Sequence, residues 1–183
     1  MQSEPDKDMI LDGAAGLYRQ VDLKAWGDTS SLISFDSDLK SLGFSFLGDL
    51  LCSALAQGIL RGYVHPKEHT HGLLLIGMKD GALNVLGLFF DSKFINGATA
   101  TTTTSRAVRD LPAHRIHRKV CSWKGVYDSY REHRAHLDEL RTLNGDTLPM
   151  GDTLLSLAES VDASTVRMNS LHLSEHIVGL KTK

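Results

Sequence analysis

Three turn signals divide the apolar tract between Ile59 and Ser105 into pieces of strand length, and they constrain the fold more than any other part of the chain. His65-Pro66-Lys67-Glu68 interrupts the tract first, Asp80-Gly81 second and Asn96-Gly97 third. Asp-Gly and Asn-Gly between apolar runs suit a type I′ hairpin, in which both central residues need φ > 0. The tract is thus expected to form a four-strand antiparallel meander. Two-residue turns set Met78 opposite Leu83 and Ile76 opposite Val85, and likewise Phe94 opposite Thr99 and Ser92 opposite Thr101. Residues 72–78, GLLLIGM, lack polar alternation and should be covered on both faces.

Around this tract the pattern changes. Met9, Ile10, Ala14, Leu17 and Tyr18 lie near helical spacing, so a short helix is expected over residues 9–20, weakened by Gly13 and Gly16. Ser34 and Asp36 to Asp38 supply cap-type residues for a one- or two-turn helix that ends at Gly43. Residues 44–53 read as a strand with a bulge or turn at Gly48-Asp49, and residues 115–123 as a last strand. From Lys124 the period lengthens from two to 3.6: Val126, Tyr130, His133, Leu137 and Leu140 form one helical stripe, stopped at Asn144-Gly145. Asp152 can cap a further helix carrying Leu154, Leu155, Leu157, Ala158 and Val161.

Strands followed by helices, without strict alternation, predict an α+β fold. The expected architecture is an antiparallel meander sheet of about five to six strands, packed on one face by the long helix after the last strand and by C-terminal helices. With 183 residues and 42% hydrophobic content, one domain spanning 1–183 suffices. Residues 1–8 are expected to fray, and 150–183 to form a helical C-terminal extension.

A net charge of −2 argues against a chain that coats nucleic acid or an anionic membrane. Cys52 and Cys121 sit in apolar surroundings with no CxxC, which suits two reduced thiols. An acidic start without a basic leader, and no long apolar span, give the expectation of a cytoplasmic, soluble protein. Leu171, Leu173, Ile177 and Leu180 offer apolar surface for a homodimer.

Three constellations suggest chemistry. His65, His69 and His71, in HPKEHTH, are the densest group of candidate ligands for a divalent transition metal, and a metal-dependent enzyme is one reading of them. Arg106, Arg109, Arg115, Arg118, Lys119 and Lys124 make the segment 106–124 basic, with His114, His117 and Trp123 among them; an anionic ligand or nucleic acid is a second reading. Arg118 and Lys119 must face opposite sides of a strand, which divides that basic surface. His133 and His136, in EHRAH, do not match HExxH, and His133 on the apolar stripe reads as a hydrogen-bonded histidine at the core edge. The threonines 101–104 read as strand residues whose hydroxyls flank the aromatic Phe89, Phe90 and Phe94.

No GxSxG, phosphate-cradling loop or dinucleotide fingerprint is present, so no catalytic residue is assigned. The leading expectation is a non-enzymatic domain that binds a small molecule or a protein partner in a pocket between the sheet and the long helix. Phe90, Phe94, Trp123, Tyr127 and Tyr130 would give apolar contact there, with Arg118 and His133 for polarity.

Overall fold

The computed structural model describes residues 10–13, 16–52, 58–104 and 116–165. Eight strands form one sheet in chain order. They are β1 (Ile10–Gly13), β2 (Gly16–Gln20), β3 (Ser45–Cys52), β4 (Ile59–His65), β5 (Thr70–Lys79), β6 (Ala82–Lys93), β7 (Thr99–Thr103) and β8 (Ile116–Val120). Helix α1 (Ile33–Ser41) precedes β3, α2 (Val126–Asn144) follows β8, and α3 (Leu154–Thr165) comes last. The chain is an α+β protein with a mostly antiparallel sheet, larger than the five to six strands expected.

The region 9–20 corrects one expectation, since it forms the hairpin β1–β2 and not a helix. Tyr18 pairs with Cys52 on β3 and is buried, so sheet pairing overrides a weak periodicity that two glycines already undermine. A second correction is β8, which runs parallel to β7. Parallel strands need a crossover of about a dozen residues, a length that 104–115 supplies.

The Asp80-Gly81 turn has the expected register, with Met78 opposite Leu83 and Ile76 opposite Val85, and both turn residues take positive φ (53° and 78°). The Asn96-Gly97 turn departs from expectation by one residue: Lys93, not Phe94, faces Thr99, and Ser92 faces Ala100. Of that pair only Gly97 takes positive φ. The Asn96 side chain instead accepts the Ala98 N–H at 2.9 Å, an Asx-type turn that spaces the strands differently from type I′. On β3 the pairing shifts between Phe46 and Gly48, the bulge expected there.

Both faces of the sheet are covered. On one, Tyr63, Leu74, Leu88 and Phe90 pack with Leu39, Phe44, Val126 and Tyr130, under α1 and α2. On the other, Leu50, Leu60, Leu73 and Leu75 pack with Leu157, Ala158 and Val161 of α3. The C-terminal helix thus takes the face opposite α2 and not the shared face expected, because the unbroken apolar run in β5 needs cover on both sides. Thr153, not Asp152, caps α3. Its hydroxyl accepts the Ser156 N–H at 3.1 Å while Ser156 Oγ accepts the Thr153 N–H at 3.2 Å, a reciprocal capping box. Among the described residues, no helix is long and apolar enough to cross a membrane.

Candidate functional site

The buried stripe of α2 sets two histidines on the hydroxyl-bearing part of the sheet. His133 is fully buried, with Nε2 3.1 Å from Ser92 Oγ and Nδ1 3.0 Å from Thr102 Oγ1. Thr102 also lies 3.2 Å from His136 Nδ1, and Ser92 lies 2.8 Å from Thr70 Oγ1. Thr70 donates to the Glu68 carbonyl at 3.0 Å. That last bond orients the whole chain, because a carbonyl only accepts. Ser92 must then donate to Thr70, His133 Nε2–H to Ser92, Thr102 to His133 Nδ1, and His136 Nδ1–H to Thr102. His133 is therefore a neutral Nε2–H tautomer. Burial, with His136 beside it, holds its pKa down to about 3.

The Glu68 end of this relay opens on a cleft of about 440 Å³ between the β4–β5 turn and α2. Leu42, His65, Tyr127, Tyr130, Arg131 and Arg134 contribute to its lining, with Glu68, Ala135 and Asp138. Tyr130 lies in an aromatic cluster with Phe44, Phe90 and His65 at centroid distances of 5.1, 5.1 and 6.0 Å. The residue is 5% exposed, and its hydroxyl is buried without a hydrogen-bond partner. Burial raises its pKa and the charge of Glu68 adds to the rise, against Arg134 and the nearby Thr70 hydroxyl, which makes no well-formed hydrogen bond to it, so the phenol keeps its proton. His65 Nδ1 accepts the Glu68 N–H at 3.1 Å, which leaves the proton of a neutral ring on Nε2. Gly43, at φ 97°, keeps that edge clear, since a Cβ at position 43 would lie 2.8 Å from His65 Nε2.

The seven residues expected to line a sheet–helix pocket do not converge. Phe90, Phe94 and His133 are buried in packed core, so side chains fill the space directly between sheet and helix. Tyr127 and Tyr130 reach the cleft at the edge of α2. Trp123 is half exposed against Phe35, 5.5 Å away between ring centroids. Arg118 pairs in register with Thr101, and Thr101 with Asp91, on the face opposite Phe90. There Asp91 is buried, accepts from Thr101 at 2.6 Å, and is pushed up to about 6 by burial, against the pull of Thr101 and Arg118.

The three imidazoles of the 65–71 segment do not meet either. His65 pairs with Thr70, which sets His71 on the opposite face. His71 donates from Nε2 to the Gly151 carbonyl at 2.7 Å, its Nδ1 is buried without a partner, and burial lowers its pKa. His69, in the turn at φ 52°, engages the Thr147 carbonyl at 3.0 Å. Among the described residues no group of three or more His, Cys, Asp or Glu side chains is placed to hold a metal ion. In the basic segment, Lys119 lies 3.5 Å from Glu132 and 3.6 Å from Glu139. Arg106, Arg109, His114 and Arg115 fall outside the described residues, as do Leu171, Leu173, Ile177 and Leu180.

One polar cluster had no sequence signal. Arg61 on β4 donates through Nη1 to both Asp49 oxygens at 3.1 Å, and through Nε and Nη2 to Asp36 of α1 at 3.0 and 3.1 Å. Tyr63 donates to Asp36 as well, and the Arg61 guanidinium lies 4.4 Å from the Phe46 ring centroid. Burial pushes the Asp49 carboxyl up to about 7, with Arg61 opposing and Asp36 reinforcing the shift. The four residues come from α1, β3 and β4, and their separations follow no local motif.

No protein-family model, curated protein or solved structure matches the chain.

Proposed function

We propose that this chain is a non-enzymatic binding domain whose small ligand seats in the cleft between the β4–β5 turn and α2. One observation carries the reading: a buried tyrosine hydroxyl without a partner borders a cleft of about 440 Å³. An unpaired buried donor costs about 1–3 kcal/mol, and a ligand acceptor would offset that cost. The size also falls within the range of small-molecule sites. The hydroxyl–imidazole relay behind the cleft is saturated and holds α2 in register with the sheet, which suits a site that is largely preformed. A protein partner is a second reading, favoured by the half-exposed Tyr127 at the cleft and by the half-exposed Trp123 near the start of α2, since Trp, Tyr and Arg dominate interface hot spots.

The test is a screen of small fragments, cationic, neutral and anionic, against the ¹⁵N-labelled chain. Binders should shift the amides of Leu42, His65, Glu68, Tyr130 and Arg134. If no fragment of any class moves them, or if all binders cluster elsewhere, the cleft is not the site.

A further inference from the structure

The cleft's polar groups divide unevenly into donors and acceptors, and that imbalance bears on ligand class. Its acidic side chains already have cationic partners. Glu68 faces Arg134 at 3.7 Å, and Asp138 accepts from Arg141 at 2.7 Å. The donors are less committed. The Tyr130 hydroxyl is 95% buried by residue and has no partner, and His65 carries its proton on Nε2 because Nδ1 already accepts the Glu68 N–H. Arg134 is 60% exposed and meets Glu68 at 3.7 Å, too long for a hydrogen bond, so its guanidinium can turn to a ligand. Beside these donors, Leu42 and the half-exposed Tyr127 ring present apolar surface.

We propose that the cleft recognises an oxyanion carried on an apolar or aromatic body. Tyr130 Oη–H and His65 Nε2–H donate to the oxyanion, Arg134 supplies the countercharge, and Leu42 and Tyr127 hold the body. Charge-assisted hydrogen bonds of this kind are about twice as strong as neutral ones, and a guanidinium fork matches a carboxylate or phosphate. A cation is disfavoured, because the cleft's carboxylates, Glu68 and Asp138, each already face an arginine, and Arg134 repels it.

The inference rests on the cleft being the binding site, and the probes separate the two claims. The full chain is titrated with 3-phenylpropionate, with phenyl phosphate and with the uncharged 3-phenylpropionamide, following amide shifts and affinity. At least one oxyanion should shift the Glu68, Tyr130 and Arg134 amides and bind about tenfold tighter than the amide compound. The preferred one then identifies a carboxylate or a phosphate as the natural group. Tyr130→Phe, which keeps the ring and its packing, should weaken the oxyanion about tenfold and the amide compound, whose neutral carbonyl accepts more weakly, by less. Arg134→Gln should flatten the dependence of oxyanion affinity on salt.

Equal affinity of the charged and uncharged probes, or oxyanion binding untouched by Tyr130→Phe, would overturn the ligand class while the cleft reading stands. The same holds if the broad fragment screen yields only cations or neutral compounds in the cleft. If no compound of any charge perturbs the cleft, the site itself is refuted.

Discussion

Two polar networks lie under the helices on the same face of the sheet, and they solve burial in opposite ways. Beneath α2, the chain His136–Thr102–His133–Ser92–Thr70 carries no charge and passes hydrogen bonds in one direction to a backbone carbonyl. Beneath α1, Arg61 holds two carboxylates and a tyrosine in an ionic cluster. Every Arg61 nitrogen is engaged there, by Asp36, Asp49 or Tyr63. The neutral network is saturated along its length too, but its neighbour Tyr130 is left unpaired where the network meets the cleft. In the proposed reading a surplus donor, and not charge as such, marks the place for a ligand.

The largest expected effect lies in the ionic cluster. Arg61→Met strands Asp49 beneath α1 without a cation and should cost about 3 kcal/mol in denaturant unfolding. A loss under about 1 kcal/mol would mean that the cluster is loosely solvated and that the contrast fails. Ser92→Ala comes next. It leaves His133 Nε2–H without an acceptor and Thr70 without its donor, at an expected cost of about 1–3 kcal/mol.

Acid should separate the two networks by sign. His133 has a native pKa near 3, below its ordinary 6.5, so the unfolded chain binds more protons and stability falls as pH drops below about 6.5. Asp49 is the reverse: its native pKa near 7 lies above the ordinary 3.8, so the native state binds more protons and stability from this group rises between about pH 7 and pH 4. Asp49→Asn removes that compensation. From pH 7.5 to pH 5 the variant should lose about 1–2 kcal/mol more stability than the wild type, where an equal loss would place Asp49 in its ordinary range.

Elements with local signals were legible, and those made by distant residues were not. The Asp80-Gly81 register, the Gly48 bulge and the length of α2 follow from residues within a turn or two of one another. The β1–β2 hairpin depends on pairing with Cys52 more than thirty residues away, and short-range periodicity points instead to a helix. The site divides the same way. Tyr127 and Tyr130 were visible as part of the α2 surface, and His133 as a hydrogen-bonded core-edge histidine. The cluster of Asp36, Asp49, Arg61 and Tyr63 was not, because three separate elements build it. His65 and His71 fall on opposite faces because the His65–Thr70 pairing sets the alternation, and that pairing could not be read from the turn residues.

The smallest effect is expected at the surface. Lys119→Ala removes contacts to two exposed glutamates and should change stability by no more than about 0.5 kcal/mol. A larger loss would give β8 and α2 an ionic clamp that the neutral network does not need.

Imidazole ¹⁵N resonances recorded from pH 8 to pH 5 test the proton assignments on which both the relay and the cleft's donor surplus depend. His133 should stay a neutral Nε2–H tautomer throughout the range, with His65 an Nε2–H tautomer and His136 protonated on Nδ1 at pH 8. A His133 that is cationic at pH 7 would contradict these assignments, as would a His65 protonated on Nδ1 alone, which would also remove the His65 donor from the cleft.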